Sequence, residues 1–378
     1  MTKTSQPELT PKSDVPQVLR TSLPSGPATI RDVARESGVS IGTVSNVFNN
    51  STDSIRPETR DRVVEAARRL RYRPNGVARG LVQRRTQTLG ILFHAGSAMA
   101  VSDPYTSAIL HGILQGCVPK GYSTLLYPKS FSNGQYDLNQ LADGRADGLL
   151  VVAPGRDDTA ASALTALGVP VVVVSARQEP KDGILSVDVD NERGGYLATQ
   201  YLLSLGHRRI AHLSGDPRQR SAYDREAGFR AAMAAEGVAV EEAFVIPCGY
   251  HGGEACEPTN RLLRLPHPPT AIFCANDNLA IGVLLAAREA EVSVPEKLSI
   301  IGFDDAPAAA LITPPLTTIR QPLSEIGRRA AESLIEKIEL RSEERKSASE
   351  ADGIAATLPV VLDPTLVVRG STAAPLSA

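Results

Sequence analysis

From Thr88 onward, short apolar runs alternate with amphipathic stretches, and this rhythm limits what the chain can fold into. The runs are LGILF (89–93), STLLY (123–127), DGLLVV (147–152), VPVVVVS (169–175), RIAHLSG (209–215), TAIFCA (270–275) and LSIIGFD (298–304). Segments 106–118, 191–205 and 276–290 lie between them and carry a helical period. Such alternation builds parallel sheets covered on both faces, whose strands read as unbroken apolar runs. The spacing predicts more than ten strands across the chain, enough for two doubly wound αβα halves.

Residues 28–82 contain helical patterns only. Thr29 caps a helix ending near Ser37, with Asp32 at the capping-box position. Gly38 supplies the stop, and Ser40 caps a second helix over 41–48. The three- to four-residue link sets two helices at a steep angle. The predicted inward face is Ile30, Val33, Ala34, Val39, Val44 and Val47. Pro57 opens a third helix with Val63, Val64, Ala67 and Leu70 as its stripe. Arg73-Pro74-Asn75 breaks the chain, and Asn75 can cap a short helix over 76–82. Residues 1–27, rich in Pro, Ser and Thr, are expected to form a disordered tail. A length of 378 residues fits two or three domains.

Charge separates these regions. Residues 28–88 hold 12 Arg and no Lys against 6 acidic residues, while the whole chain carries −2. A basic module on a more acidic body points to a polyanion partner for the first alone. The four cysteines, Cys117, Cys248, Cys256 and Cys274, form no C-x-x-C pair, so reduced thiols in a cytoplasmic protein are expected and no zinc site. There is no 18-residue apolar run to span a membrane and no apolar core of a secretory signal in the first residues. P-loop, G-x-G-x-x-G and H-E-x-x-H motifs are missing, so no enzyme and no cofactor is expected. His207 reads as a turn residue.

A helix–turn–helix whose second helix carries hydroxyls and no acid suits the major groove, about 12 Å wide. Ser40, Thr43 and Ser45 can reach phosphates or base edges, and Ile41 and Asn46 lie on the outward, N-terminal part of that helix. Spacing alone leaves a small solvated bundle as the alternative.

TIRDVARESGVSIGTVSNVFN followed by RPETRDRVVEAARRLRYRPNGVARGL resembles the headpiece of the LacI/GalR (lactose and galactose repressor) transcription regulators. The resemblance continues through DPYTSAILHGI, RADGLLVVAP, DNERGGYLATQYLLSLGHRRIAHLSG, DREAGFRAAM, AIFCANDNLAIGVL, LSIIGFDD, PPLTTIRQP and LVVRGST, covering about residues 28–372. It implies an all-α headpiece (28–72), a hinge helix and linker (73–87), an α/β effector domain of periplasmic-binding-protein type (88–372) and a tail (373–378). The chain would cross between two lobes near 190, near 320 and around 341–355.

By position, the resemblance gives Ile41, Gly42 and Asn46 the base contacts. Thr29, Ser40, Thr43, Ser45, Asn49, Asn75 and Val77 complete the DNA-facing set. Leu81 becomes a minor-groove wedge, with Ala78 against the partner helix. The other reading of Leu81 is a linker residue packing on the effector domain. Two departures stand out: Gly42 has no side chain, and Asn46 replaces the commoner Arg, losing bidentate guanine recognition worth about 1–3 kcal/mol. Arg56 stands where a capping Ser is usual.

The implied effector site is Tyr105, Arg225, Asn276, Asp304 and Gln321. A carboxylate, a guanidinium fork and two amides suit a polyol, with Tyr105, Tyr223 or Phe131 as its aromatic platform. Arg225 and Asp304 could instead be a structural ion pair, and Asp277 is expected to satisfy backbone groups. The expected function is that of a repressor acting as a homodimer on a pseudo-palindromic operator under control of a sugar. Alternatives are a purine or phosphorylated corepressor and, more distantly, a DNA-binding protein without ligand control or a solute-binding protein. The segment AAPLSA lacks a leucine heptad, hence dimer rather than tetramer.

Overall fold

The computed structural model describes residues 27–48, 55–74, 80, 85–93, 103–127, 131–132, 135–178, 183–347 and 359–376. Asn49, Asn75, Val77, Ala78 and Leu81, the tail up to residue 26 and the Phe131 side chain lie outside the described residues. Contacts divide the chain after Gln83.

In the first unit, α1 (Ile30–Ser37), α2 (Ile41–Phe48) and α3 (Pro57–Arg69) enclose Val33, Ala34, Val44, Val47, Val63, Ala66 and Ala67. Thr29 and Asp32 form the complete capping box. Gly38 stops α1 at φ +65°, a left-handed conformation that glycine adopts without steric cost. Arg56 precedes α3 without a side-chain cap. Val64, expected inside, is 46% exposed. Ala66 takes its place, because the buried stripe of α3 runs through Val63, Ala66 and Ala67.

The second unit holds two six-stranded sheets. The first contains β1 (Thr88–Phe93), β2 (Ser123–Tyr127), β5 (Gly148–Val152), β6 (Val171–Val174), β7 (Leu185–Val189) and β13 (Val360–Leu362), in the order β13-β7-β6-β5-β1-β2, all parallel. Phe131–Ser132 (β3) and Gln135–Tyr136 (β4) form a separate hairpin. The helices of this lobe are α4 (Pro104–Cys117), α5 (Leu138–Leu141), α6 (Ala160–Ala166) and α11 (Leu323–Ser347). Side chains of α4 and α11 join one face of the sheet in a single core, and those of α5 and α6 join the other.

The second sheet contains β8 (Ile210–Gly215), β9 (Val245–Pro247), β10 (Ala271–Cys274), β11 (Ser299–Asp304), β12 (Thr317–Arg320) and β14 (Thr365–Val367), in the order β14-β12-β11-β10-β8-β9. Only β14, on its edge, runs antiparallel. The helices α7 (Asn191–Ser204) and α8 (Arg220–Ala235) share one core with this sheet, and α9 (Cys256–Leu263) and α10 (Asp277–Glu289) share the other.

The chain leaves the first sheet after β7 and returns after β12. The third crossing is not in 341–355. Both α11 and β13 belong to the first lobe and β14 to the second, so the chain crosses at Asp363-Pro364. Nor does 341–347 form a loop: it continues α11, since Arg, Glu and Lys are good helix formers. The expected tail is anchored as well, with Ala373 bonding Ser299 through its N–H and carbonyl (both 3.0 Å). His207 is buried rather than a turn ornament. Its ring meets Thr270 at 2.8 Å, Ser299 at 3.1 Å and the Ala373 carbonyl at 2.9 Å.

Candidate functional site

Two surfaces carry the candidate chemistry. On the first unit, Ser40 Oγ accepts from the Thr43 N–H at 3.0 Å and meets Thr43 Oγ1 at 2.9 Å, fixing the start of α2. Val44 and Val47 anchor the inner face of that helix, which turns Ile41, Gly42 and Asn46 outward. Ile41 is 46% exposed, an apolar side chain presented to solvent at a helix start. Arg31, Arg56, Arg60, Arg62, Arg71 and Arg73 are exposed on the same unit. Thr29 and Thr43 spend their hydroxyls on capping geometry as well.

On the second unit, the C-terminal ends of the strands of both sheets converge. Asp304 ends β11 at φ +119° and accepts from Gln321 Nε2 at 2.6 Å. Burial pushes its carboxyl up to about 7, against the opposing pull of Arg225 and Gln321. Arg225, on α8, is buried. It donates from Nε to Asn191 Oδ1 at 2.9 Å and from Nη1 to the Ala275 carbonyl, with its guanidinium carbon 3.8 Å from the Phe303 ring centre. It forms no ion pair with Asp304: its geometry comes from Asn191, Ala275 and Phe303.

Asn276 caps α10, accepting from the Leu279 N–H at 2.9 Å and donating to the Tyr250 carbonyl at 3.1 Å. Asp277 takes Thr318 Oγ1 at 2.6 Å and the Ala306 N–H at 2.7 Å, a structural role. Tyr105 stands in the first turn of α4. Burial holds its phenol above the usual range; the charges of Asp188 and Asp304 add to this and Arg225 opposes it. Tyr105, Arg225, Asp304 and Gln321 therefore share one neighbourhood, and Asn276 borders it through a side chain engaged in capping.

Sequence reasoning missed Asp188, Asn191, Ser175 and Tyr250. Asp188 interrupts a buried strand and is held by the Val189 N–H at 2.8 Å and Asn191 Nδ2 at 3.2 Å; burial raises its carboxyl to about 7. A lone acid inside LSVDV was the signal. The Ser175 hydroxyl is buried beside the Tyr105 phenol, on which it acts against the effect of burial. Tyr250 meets Ser221 Oγ at 3.1 Å, and its phenol, raised chiefly by burial, feels both Arg225 and Asp304. Tyr223 is no interior platform: it is 54% exposed, with Arg156 at 4.9 Å and Arg220 at 5.9 Å from its ring centre.

The lobes touch on two sides of this cleft. Asn278 Nδ2 donates to Asp103 Oδ1 at 3.3 Å. Gly155 pairs with Gln219 in an antiparallel bridge, and the Arg156 N–H donates to the Arg218 carbonyl at 2.8 Å.

Residues 29–75 match the family model described as bacterial regulatory proteins, lacI family, and residues 199–372 match a periplasmic binding protein-like domain. The HTH-type transcriptional repressor PurR of Haemophilus influenzae strain PittEE is 33% identical over 350 residues, 91% of this chain and 98% of that protein. The structure of the transcriptional regulator CelR with cellobiose is similar at TM-score 0.67 and 29% identity, over 91% of this chain and 99% of that one. The lac repressor dimer bound to operator and the anti-inducer ONPF gives TM-score 0.77 and 26% identity, over 92% and 100%.

Proposed function

The chain belongs to the lacI family of bacterial regulatory proteins, and on that premise we propose that it is a cytoplasmic homodimeric repressor whose grip on a pseudo-palindromic operator is set by a sugar bound between its lobes. Relatives in this family are transcriptional repressors rather than enzymes. Among the described residues, no helix is long and apolar enough to cross a membrane.

One observation carries the choice of effector. The cleft gathers two buried carboxylates, Asp188 and Asp304, with two phenols, while Arg225 commits Nε and Nη1 to protein oxygens. Carboxyls and phenols together receive the hydroxyls of a neutral polyol, and the ionised fraction of the two carboxyls repels a phosphate. The cellobiose complex of CelR supports this reading. The likeness to PurR repressors favours a purine as the second reading. A thermal-shift panel separates them: neutral sugars should raise the melting temperature, and stabilisation by purines alone or by phosphorylated compounds alone rejects the sugar.

For the DNA half, α2 enters the major groove with Ile41 and Asn46 at base edges, and Ser40, Thr43 and Ser45 near phosphates. The segment 75–82 acts as a hinge helix with Leu81 as its wedge. A helix this short, carrying Gly76 and Gly80, is unstable alone and folds only when docked on DNA. Effector binding shifts the lobes and with them the paired hinge segments. The two affinities are thereby coupled, by about 1–3 kcal/mol in such systems. Selection of bound duplexes from a random library tests this half, and indifference to DNA sequence overturns it.

A further inference from the structure

Where the chain enters the effector unit it is gripped by one carboxylate. Asp147, the residue before β5, accepts the Thr86 N–H at 2.7 Å and the Thr86 hydroxyl at 2.8 Å on one oxygen. Its other oxygen accepts the Gln87 N–H at 2.8 Å. The Asp147 N–H donates to the Thr88 carbonyl, and the Gln87 carbonyl accepts from Ser123, each at 2.8 Å. Gln87 sits at φ +51°, a conformation that residues other than glycine rarely adopt. Thr86 and Gln87 are exposed, so packing does not hold them. The side chain of the preceding Arg85 adds no tie through its buried Nε and Nη2, which make no hydrogen bond.

The strand that Asp147 introduces is buried along its whole length and lies between β1 and β6. Its far end leads directly to Gly155 and Arg156, the residues that bond across the cleft to Gln219 and Arg218. One rigid strand therefore has the linker at one end and the inter-lobe contact at the other.

We propose that Asp147 is the positioning residue for the allosteric output: by gripping Thr86 and Gln87 it makes the end of the linker move as one body with the first lobe. Lobe rearrangement then reaches the hinge segment instead of being absorbed by free rotation at 85–87. This rests on the ligand-controlled repressor reading above. The clamp is made of charge-assisted hydrogen bonds to backbone and hydroxyl groups, outside the cleft.

The test replaces the unknown effector by a covalent lock. Gly155→Cys with Gln219→Cys joins antiparallel bridge partners, whose Cα atoms typically stand about 5 Å apart, within disulfide reach. The full-length protein is titrated by fluorescence anisotropy, oxidised and reduced, with a duplex recovered by selection at fixed salt. Oxidation is expected to change the duplex Kd by about fivefold or more. With Asp147→Asn added, oxidised and reduced forms should bind alike. An equal change in the Asp147→Asn background overturns the proposal, as does the absence of any change in the parent. Failure to recover a preferred duplex overturns the repressor reading itself. Hydrogen exchange of the unmodified protein then still tests the clamp: Thr86 and Gln87 amides should be as protected as those of β1, and rapid exchange there rejects it.

Discussion

Gln321 reaches 2.6 Å from its Nε2 to Oδ1 of Asp304, tying the end of β11 to the point where the chain returns to the first lobe. The central carboxylate of the cleft and a lobe crossover are thus one hydrogen-bonded unit. Replacing Gln321 with Leu leaves a buried carboxyl short of a donor. The expected cost is about 1–3 kcal/mol of stability, together with loss of effector response. Urea unfolding checks the first; a melting temperature equal to that of the parent would count against the tie.

The raised carboxylates make a signed pH prediction. Burial lifts Asp188 and Asp304 from 3.8 to about 7 each. The folded state then holds protons that the unfolded chain has already released. Stability from these groups is greatest below the unfolded pKa and declines as pH rises from about 4 through 7. His207 and His212 act in the opposite sense, since burial lowers both and stability falls as pH drops below 6.5. Asp304→Asn removes one carboxylate only. Its stability relative to the parent should therefore improve as pH rises from about 5 to 8, and parallel pH profiles would contradict the assignment.

Arg225 owes its position to a helix crossing that tolerates no side chain. A Cβ at Gly195 of α7 would stand 2.2 Å from the Arg225 carbonyl oxygen on α8. Gly195→Ala must push the helices apart and carry the guanidinium off Asn191 and Phe303. Destabilisation of about 1–3 kcal/mol is expected, as for overpacked cores, with weaker effector binding. Thermal melts with and without a stabilising sugar provide the measurement.

These residues show what the linear pattern can reveal. Each of the seven quoted apolar runs contains a strand; six are buried, because a doubly covered parallel strand needs only continuous apolarity, and the seventh, β2, is an edge strand with Ser123 and Leu126 exposed. Thr29, Asp32, Gly38 and Ser40 were legible because capping is local. The third crossover was not, since β13 and β14 have three residues each and are identified by the sheet they join. His207 escaped notice because its partners Thr270, Ser299 and Ala373 lie 63 to 166 residues away. Tyr105, Arg225 and Asp304 came from resemblance. Asp188 and Asn191, which complete the polar lining, come together through tertiary packing.

Dimer formation makes a prediction for the second lobe. Leu285, 44% exposed, lines an open, mostly apolar groove of about 470 Å³ together with Ile281, Leu284, Ile312, Pro314 and the polar Arg288 and Thr313, and Leu311, 83% exposed, directly precedes Ile312. A second copy of this chain is the expected cover on the proposed reading, since the proposed pseudo-palindromic operator needs two headpieces and the lac repressor structure it is similar to is a dimer. Leu311→Glu would bury a charge in that contact. It should weaken self-association at least tenfold, about 1.4 kcal/mol, in sedimentation equilibrium. Unchanged association would place the interface elsewhere.

The proposed base contact of Asn46 predicts a change of operator preference at one exposed position. Asn46 projects from α2 between the buried Val44 and Val47, so replacing it disturbs no packing. Its amide pairs best with the N6 and N7 edge of adenine, whereas an arginine fork pairs with O6 and N7 of guanine. Asn46→Arg should therefore move the selected half-site from adenine to guanine at one position, by about 1–3 kcal/mol. The extra positive charge also strengthens binding to any duplex, and that part fades with salt. The comparison consequently needs both half-sites at matched, moderate salt. A variant that binds both sequences more tightly by the same factor would show that Asn46 meets phosphate rather than a base.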